Sequence, residues 1–180
     1  MNKLTEKEKI EYNHQNFIKT DGLWFIKVEE KFGFEKALEL DREVWKILPK
    51  MQARFLKNKM GLNNSFEDLL KALKQKMELD GYRFRTTITG IKKDKSIIKH
   101  NNKINSLPKK SIHIKISHCP WHEIMLKAKR EKLSAIIGST ICKTEYTAFA
   151  REFIKDISVI IKNQICHRSK FCTFQILLKN

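Results

Sequence analysis

The chain has 180 residues, 41% of them hydrophobic, and carries 37 basic against 20 acidic side chains for a formal charge of +17. That length suits one domain of ordinary size, which buries about two-thirds of its unfolded surface and needs no disulfides to fold. No window approaches a membrane span of about 18 apolar residues, and the charged start Met1-Asn2-Lys3-Leu4-Thr5-Glu6-Lys7 lacks the apolar core of an export signal, so a cytoplasmic protein with no membrane partner is expected.

Phe17, Ile18, Trp24, Phe25, Val28 and Phe32 recur at helical spacing and predict a helix over Tyr12 to Phe32 that Gly33 stops. A second helical pattern runs from Phe34 through Leu38, Val44, Trp45 and Leu48 to Phe55, Leu56 and Gly61, with Pro49 expected to kink it or start a new helix. Ser65, followed three residues on by Asp68, starts a third helix whose apolar face is Leu69, Leu70, Leu73 and Met77. The period then drops to two. Tyr82, Phe84, Thr86 and Ile88 predict a half-buried strand, Ile112, Ile114 and Ile116 another, and an intervening strand is expected near Ser96 to Lys99. Pro120 suits the first turn of a helix carrying Ile124, Met125, Ala128, Leu133 and Ile136 up to Gly138, and a separate helix is expected over Lys143 to Ile154. Two strands, Ile157 to Ile165 and Phe171 to Leu178, close the chain. The fold class read from this order is α+β: N-terminal helices, a mainly antiparallel sheet, and a two-helix crossover before a C-terminal hairpin. Residues 1–80 form the helical segment and 81–180 the part with the sheet, on one shared core.

The basic charge invites nucleic acid as a partner, but its makeup argues against one. Thirty of the basic residues are Lys and seven are Arg, whereas bidentate reading of bases and phosphates favours Arg. The densest basic stretch, Ile91 to Lys115, holds eight Lys and no aromatic residue on which a base could stack. A solvated, lysine-coated hairpin is the plainer reading. Nucleic-acid binding therefore ranks third, behind a small-molecule ligand and behind a non-enzymatic sensor or accessory domain. A homodimer is compatible with the composition.

All four cysteines lie in the last third of the chain: Cys119 in His118-Cys119-Pro120-Trp121-His122, Cys142, and the pair Cys166 and Cys172. Without an export signal, grouped thiols near His and Glu read better as metal ligands or a reactive centre than as disulfides. Cys119 stands where a strand meets a helix N-terminus, which favours a thiolate and raised reactivity. His122 follows Cys119 by about one helical turn, and Glu145 follows Cys142 by the same spacing, so each pair can share a face. A zinc or iron centre on Cys119, Cys142, Cys166 and Cys172, capped by His122 or Glu145, is one reading. Ordinary burial of free cysteines is the other.

The runs Cys119-Pro120-Trp121-His122-Glu123-Ile124-Met125, Ile141-Cys142-Lys143-Thr144-Glu145-Tyr146 and Ile165-Cys166 with Cys172 resemble the C-terminal signature of L-2-amino-thiazoline-4-carboxylic acid hydrolase-like proteins. The stretch Asp21-Gly22-Leu23-Trp24-Phe25 with Glu29, and Gly33 ahead of Ala37-Leu38 and Val44-Trp45, is similar to the same group. The terminal cysteines also resemble, more distantly, the last hairpin of 4-vinyl reductase type small-molecule-binding domains. The resemblance implies an α+β ligand-binding domain and a hydrolase acting on a thiazoline carbon between sulfur and nitrogen. Such chemistry needs an activated water or nucleophile and an acid for the leaving atom. Cys119 as nucleophile or ligand, with His122 as base, would serve. Asp21 is a second catalytic candidate because a carboxylate on an apolar stripe is unexpected. Asp41 holds a similar place, so Trp24, Asp41, Trp121, Glu145 and Tyr146 become the candidate substrate contacts. The plainer reading of each acid is a helix cap or a hydrogen bond to an indole N–H.

Overall fold

The computed structural model describes residues 3–90 and 110–178. The strand expected near Ser96 to Lys99 lies outside them. Thr5 opens helix α1 (Glu6–Phe32): its side chain accepts the Glu8 N–H while the Glu8 carboxylate accepts the Thr5 N–H, a reciprocal cap. Gly33 separates α1 from α2 (Phe34–Lys59) at a φ of +86°, a left-handed value that any side chain would strain. α2 then runs unbroken through Pro49, against the expected break. Pro49 is fully buried, and packing along this helix outweighs the local loss of one N–H bond.

The chain forms two compact units, the first ending at Trp45 and the second beginning at Lys46, inside α2. The boundary read from the sequence falls later, at residues 80 and 81. The difference lies in α3 (Phe66–Leu79), whose buried Leu69, Ala72, Leu73 and Met77 share one apolar core with the sheet. Ser65 caps α3 by accepting the Asp68 N–H at 3.1 Å, and the Asp68 carboxylate accepts the Asn63 N–H at 3.0 Å.

Four antiparallel strands make the sheet of the second unit: β1 (Arg83–Thr89), β2 (Ser111–His118), β3 (Ile157–Asn163) and β4 (Cys172–Leu178), in the order β1-β2-β4-β3. Alternation puts Ile112, Ile114 and Ile116 of β2 on the buried face opposite Ile176, Phe174 and Cys172 of β4. Helices α4 (Pro120–Lys127) and α5 (Glu131–Arg151) cross from β2 to β3, and Tyr146, Phe149 and Ala150 of α5 join the same core. The α+β class, the antiparallel sheet, the two-helix crossover and the closing hairpin are as the sequence predicts.

The boundary between the crossover helices is not. The expected helix from Pro120 to Gly138 ends at Lys127, where Lys129 turns left-handed at φ +56°, and α5 carries Gly138 in its interior rather than as its stop. Lys143, expected to begin a helix, also sits within α5.

Candidate functional site

Strand register gathers the cysteines. Cys172 opens β4 opposite Ile116, near the end of β2. Cys119 lies just beyond β2 as the N-cap of α4, so the two sulfurs come to one end of the sheet. Cys166 lies in a single 3-10 turn between β3 and β4, and Cys142 faces them from α5. The Cys142 thiol is close enough to interact electrostatically with the other three. The sequence left open whether the four sulfurs meet, and the fold brings them into one neighbourhood.

That neighbourhood keeps them neutral. Burial pushes the Cys119 thiol up to about 11, although the backbone N–H groups of His122 and Trp121 point at its sulfur and pull the other way. The expected activation by the helix N-terminus is thus outweighed by desolvation. Burial also pushes up Cys142, Cys166 and Cys172. The Cys172 sulfur accepts the Ile165 N–H at 3.2 Å.

The neighbours expected to complete a metal centre are engaged elsewhere. His122 Nδ1 and the buried Ser134 hydroxyl are 2.8 Å apart, and burial lowers the His122 pKa. Glu145 is buried and pairs with the ammonium of Lys76, itself 3% exposed and also bonded to Asp80. Burial alone would depress the Lys76 pKa, but the charges of Glu145 and Asp80 push it up to about 12. Burial likewise pushes Glu145 above the usual carboxylate range, with Lys76 opposing. Among the described residues, no three His, Cys, Asp or Glu side chains are grouped so as to hold a metal ion. Protonated thiols, two of them already accepting backbone N–H groups, are a poor donor set as they stand.

Two tyrosines complete the cluster. Tyr146 is 2% exposed, stacks obliquely on Phe174 with ring centroids 4.7 Å apart, and interacts electrostatically with Glu145, Cys142 and Cys119. Its hydroxyl is buried with no hydrogen-bond partner. Tyr82, also buried, is near Tyr146, Glu145, Cys119 and Cys142. Trp121 is half-buried against the core. Cys119, Cys142, Glu145, Tyr146 and Trp121 therefore belong to one part of the second unit, together with Lys76 and Tyr82, which sequence reasoning missed. The signal for Lys76 was present: it falls on the apolar face of α3, beside Leu73 and Met77.

Asp21, Trp24 and Asp41 belong to the first unit. Asp41 interacts with Asp21, as the pairing of the two helices about Gly33 suggested, and its carboxylate accepts a hydrogen bond from the Trp45 indole. The plainer reading of that acid therefore holds. Trp24 is 65% exposed.

Gly138 carries a structural reason of its own. A Cβ placed there would lie 2.8 Å from the Cys166 sulfur, and its carbonyl accepts the Gln164 side-chain amide at 3.0 Å. Mid-helix glycine costs about 1 kcal/mol against alanine, so this position gives up helix propensity to seat a sulfur. Gly138→Ala is expected to lower stability by about 1–3 kcal/mol despite the better helix former. Adding Cys166→Ala should return most of it, as a double-mutant cycle by chemical denaturation would show. Equal losses in the single and double variants would mean that the sulfur is not what fills the space.

Residues 2–176 match a family of unknown function, DUF6125. No curated protein matched. Among solved structures, a trafficking protein particle complex subunit 3 from Naegleria fowleri, covalently bound to palmitic acid, is similar at 13% identity, with 94% of this chain and 97% of that chain covered and a TM-score of 0.55. At that identity the likeness is one of fold. With the match running over nearly its whole length, the chain belongs to the DUF6125 family.

Proposed function

We propose that this protein binds a small acyl-bearing molecule at the thiol and tyrosine cluster, with Cys119 taking the acyl group as a thioester. The observation that carries the reading is the Tyr146 hydroxyl, buried without a partner beside Cys119 and Cys142. Leaving such a group unpaired costs about 1–3 kcal/mol, which an acyl carbonyl accepting its hydrogen bond would recover. The backbone N–H groups aimed at Cys119 would support negative charge on sulfur as the thiol reacts. The neighbour of similar fold carries palmitic acid covalently, a precedent for an acyl group on this architecture that assigns no residue here.

In the transfer, the Cys119 sulfur forms a new bond to the acyl carbon of a thioester donor. The donor's own carbon–sulfur bond breaks, and the Cys119 proton ends on the departing thiol. Hydrolysis of a thiazoline, the activity implied by the sequence resemblance, would instead need an activated water. Neutral thiols and a His122 engaged with Ser134 support binding over turnover.

Incubation with an acyl-coenzyme A, followed by intact mass measurement, tests this. A single adduct, removed by neutral hydroxylamine, absent in Cys119→Ser and reduced in Tyr146→Phe, is the expected result. An adduct on Cys166 would overturn the residue assignment, and no adduct the acyl reading itself. Turnover of 2-amino-thiazoline-4-carboxylate in a parallel assay would replace acyl carriage with hydrolysis.

A further inference from the structure

The second unit has an open apolar groove that the thiol site does not use. Residues of α2 and α3 line a cavity of about 390 Å³, within the range of small-ligand sites. Its walls are Met51, Phe55, Leu56 and Leu79; Met51 and Phe55 are each 60% exposed and Leu79 58%. Covering that surface with a partner's hydrocarbon is favourable at about 25 cal/mol per Å².

Its polar lining decides what kind of molecule fits. The Gln52 side-chain oxygen lines the groove, buried and without a hydrogen-bond partner among the described residues, so it needs a donor. Lys76 and Asp80 form the remaining polar lining. The Lys76 ammonium lies between two carboxylates, Asp80 and Glu145, and the three ionised groups sum to one negative charge. A carboxylate or phosphate head would add a like charge and supply no proton to Gln52.

We propose that this groove binds an amphiphilic cation, an alkyl chain ending in a primary ammonium, with the chain against Phe55, Met51 and Leu79 and the ammonium donating to Gln52 beside Asp80. The charge of the head separates it from the acyl ligand of the thiol cluster, and the two sites stand or fall independently. The chain as a whole is strongly basic, so recognition depends on this local excess of carboxylate.

Isothermal titration of the full chain with octylammonium, octanol and octanoate tests it. Octylammonium should bind saturably at one site, about tenfold or more tighter than octanol, with no measurable octanoate binding. Gln52→Leu, which removes an unpaired polar atom and should not harm the fold, is expected to weaken octylammonium and leave octanol unchanged. Octanoate binding as well as octylammonium, or an unchanged affinity in Gln52→Leu, would overturn the proposal. So would absence of saturable binding together with a dimer that Phe55→Asp converts to monomer, since the groove would then be a surface for a second copy.

Discussion

Replacing Lys76 with Met will cost about 3–5 kcal/mol of folding stability, the size expected when one member of a buried ion pair is removed. Lys76 and Glu145 are both buried, at 3% and 4% side-chain exposure, whereas Asp80 at 19% retains some access to water. The loss would come chiefly from the Glu145 carboxylate left in the core without its cation. Removing both, as Lys76→Met with Glu145→Leu, should therefore restore most of the stability, because an apolar pair of similar volume avoids the desolvation of two charges. Urea unfolding of the two single variants and the double variant measures the coupling. A Lys76→Met variant within about 1 kcal/mol of the parent would show that Glu145 is readily protonated in place. With the Lys76 pKa raised from 10.5 to about 12, the pair's contribution is whole below pH 10.5 and is lost as pH rises through about 12.

Asp41→Asn will raise the thermal midpoint at pH 8 and raise it much less at pH 5. Burial first, and then the charge of Asp21, push the Asp41 carboxyl from 3.8 to about 7, with the Trp45 hydrogen bond opposing. Its pKa is higher in the folded chain than in the unfolded one. Below about pH 4 both states are protonated and nothing is lost; between about 4 and 7 only the unfolded chain releases the proton, so stability falls across that window and then levels off. The full loss is on the order of a few kcal/mol. Asparagine keeps an oxygen to accept the Trp45 indole N–H but cannot ionise, so the gap between variant and parent should widen from pH 5 to pH 8. Parallel melting curves against pH for the two proteins would show that Asp41 does not titrate in this window.

The local periods were enough for the helices and strands because each of them buries one face. Alternation at Ile112, Ile114 and Ile116 marks a strand regardless of its partner, and Leu69, Leu73 and Met77 mark a helix stripe in the same way. Gly138 misled that reading. Glycine ordinarily signals a helix end, but here the signal came from a sulfur 28 residues later in the chain that needed room against the helix. Pro49 misled it too, since local disfavour at one residue was smaller than the packing of a buried helix.

The candidate site divides along the same line. Composition, spacing and hydrophobic period determined by themselves the α+β class, the antiparallel sheet, the cysteine-bearing C-terminal part and the unusual acids on the α1 and α2 stripes. Only the tertiary structure decided what those groups are chemically. Register and crossover bring Cys119, Cys142, Cys166 and Cys172 together, and the resulting burial makes them neutral thiols where a helix N-terminus alone would favour a thiolate. Glu145 passes from a metal ligand in the sequence to the partner of a lysine 69 residues away. Ionisation depends on the solvent and charge surrounding an atom in three dimensions, which residue spacing along the chain does not contain.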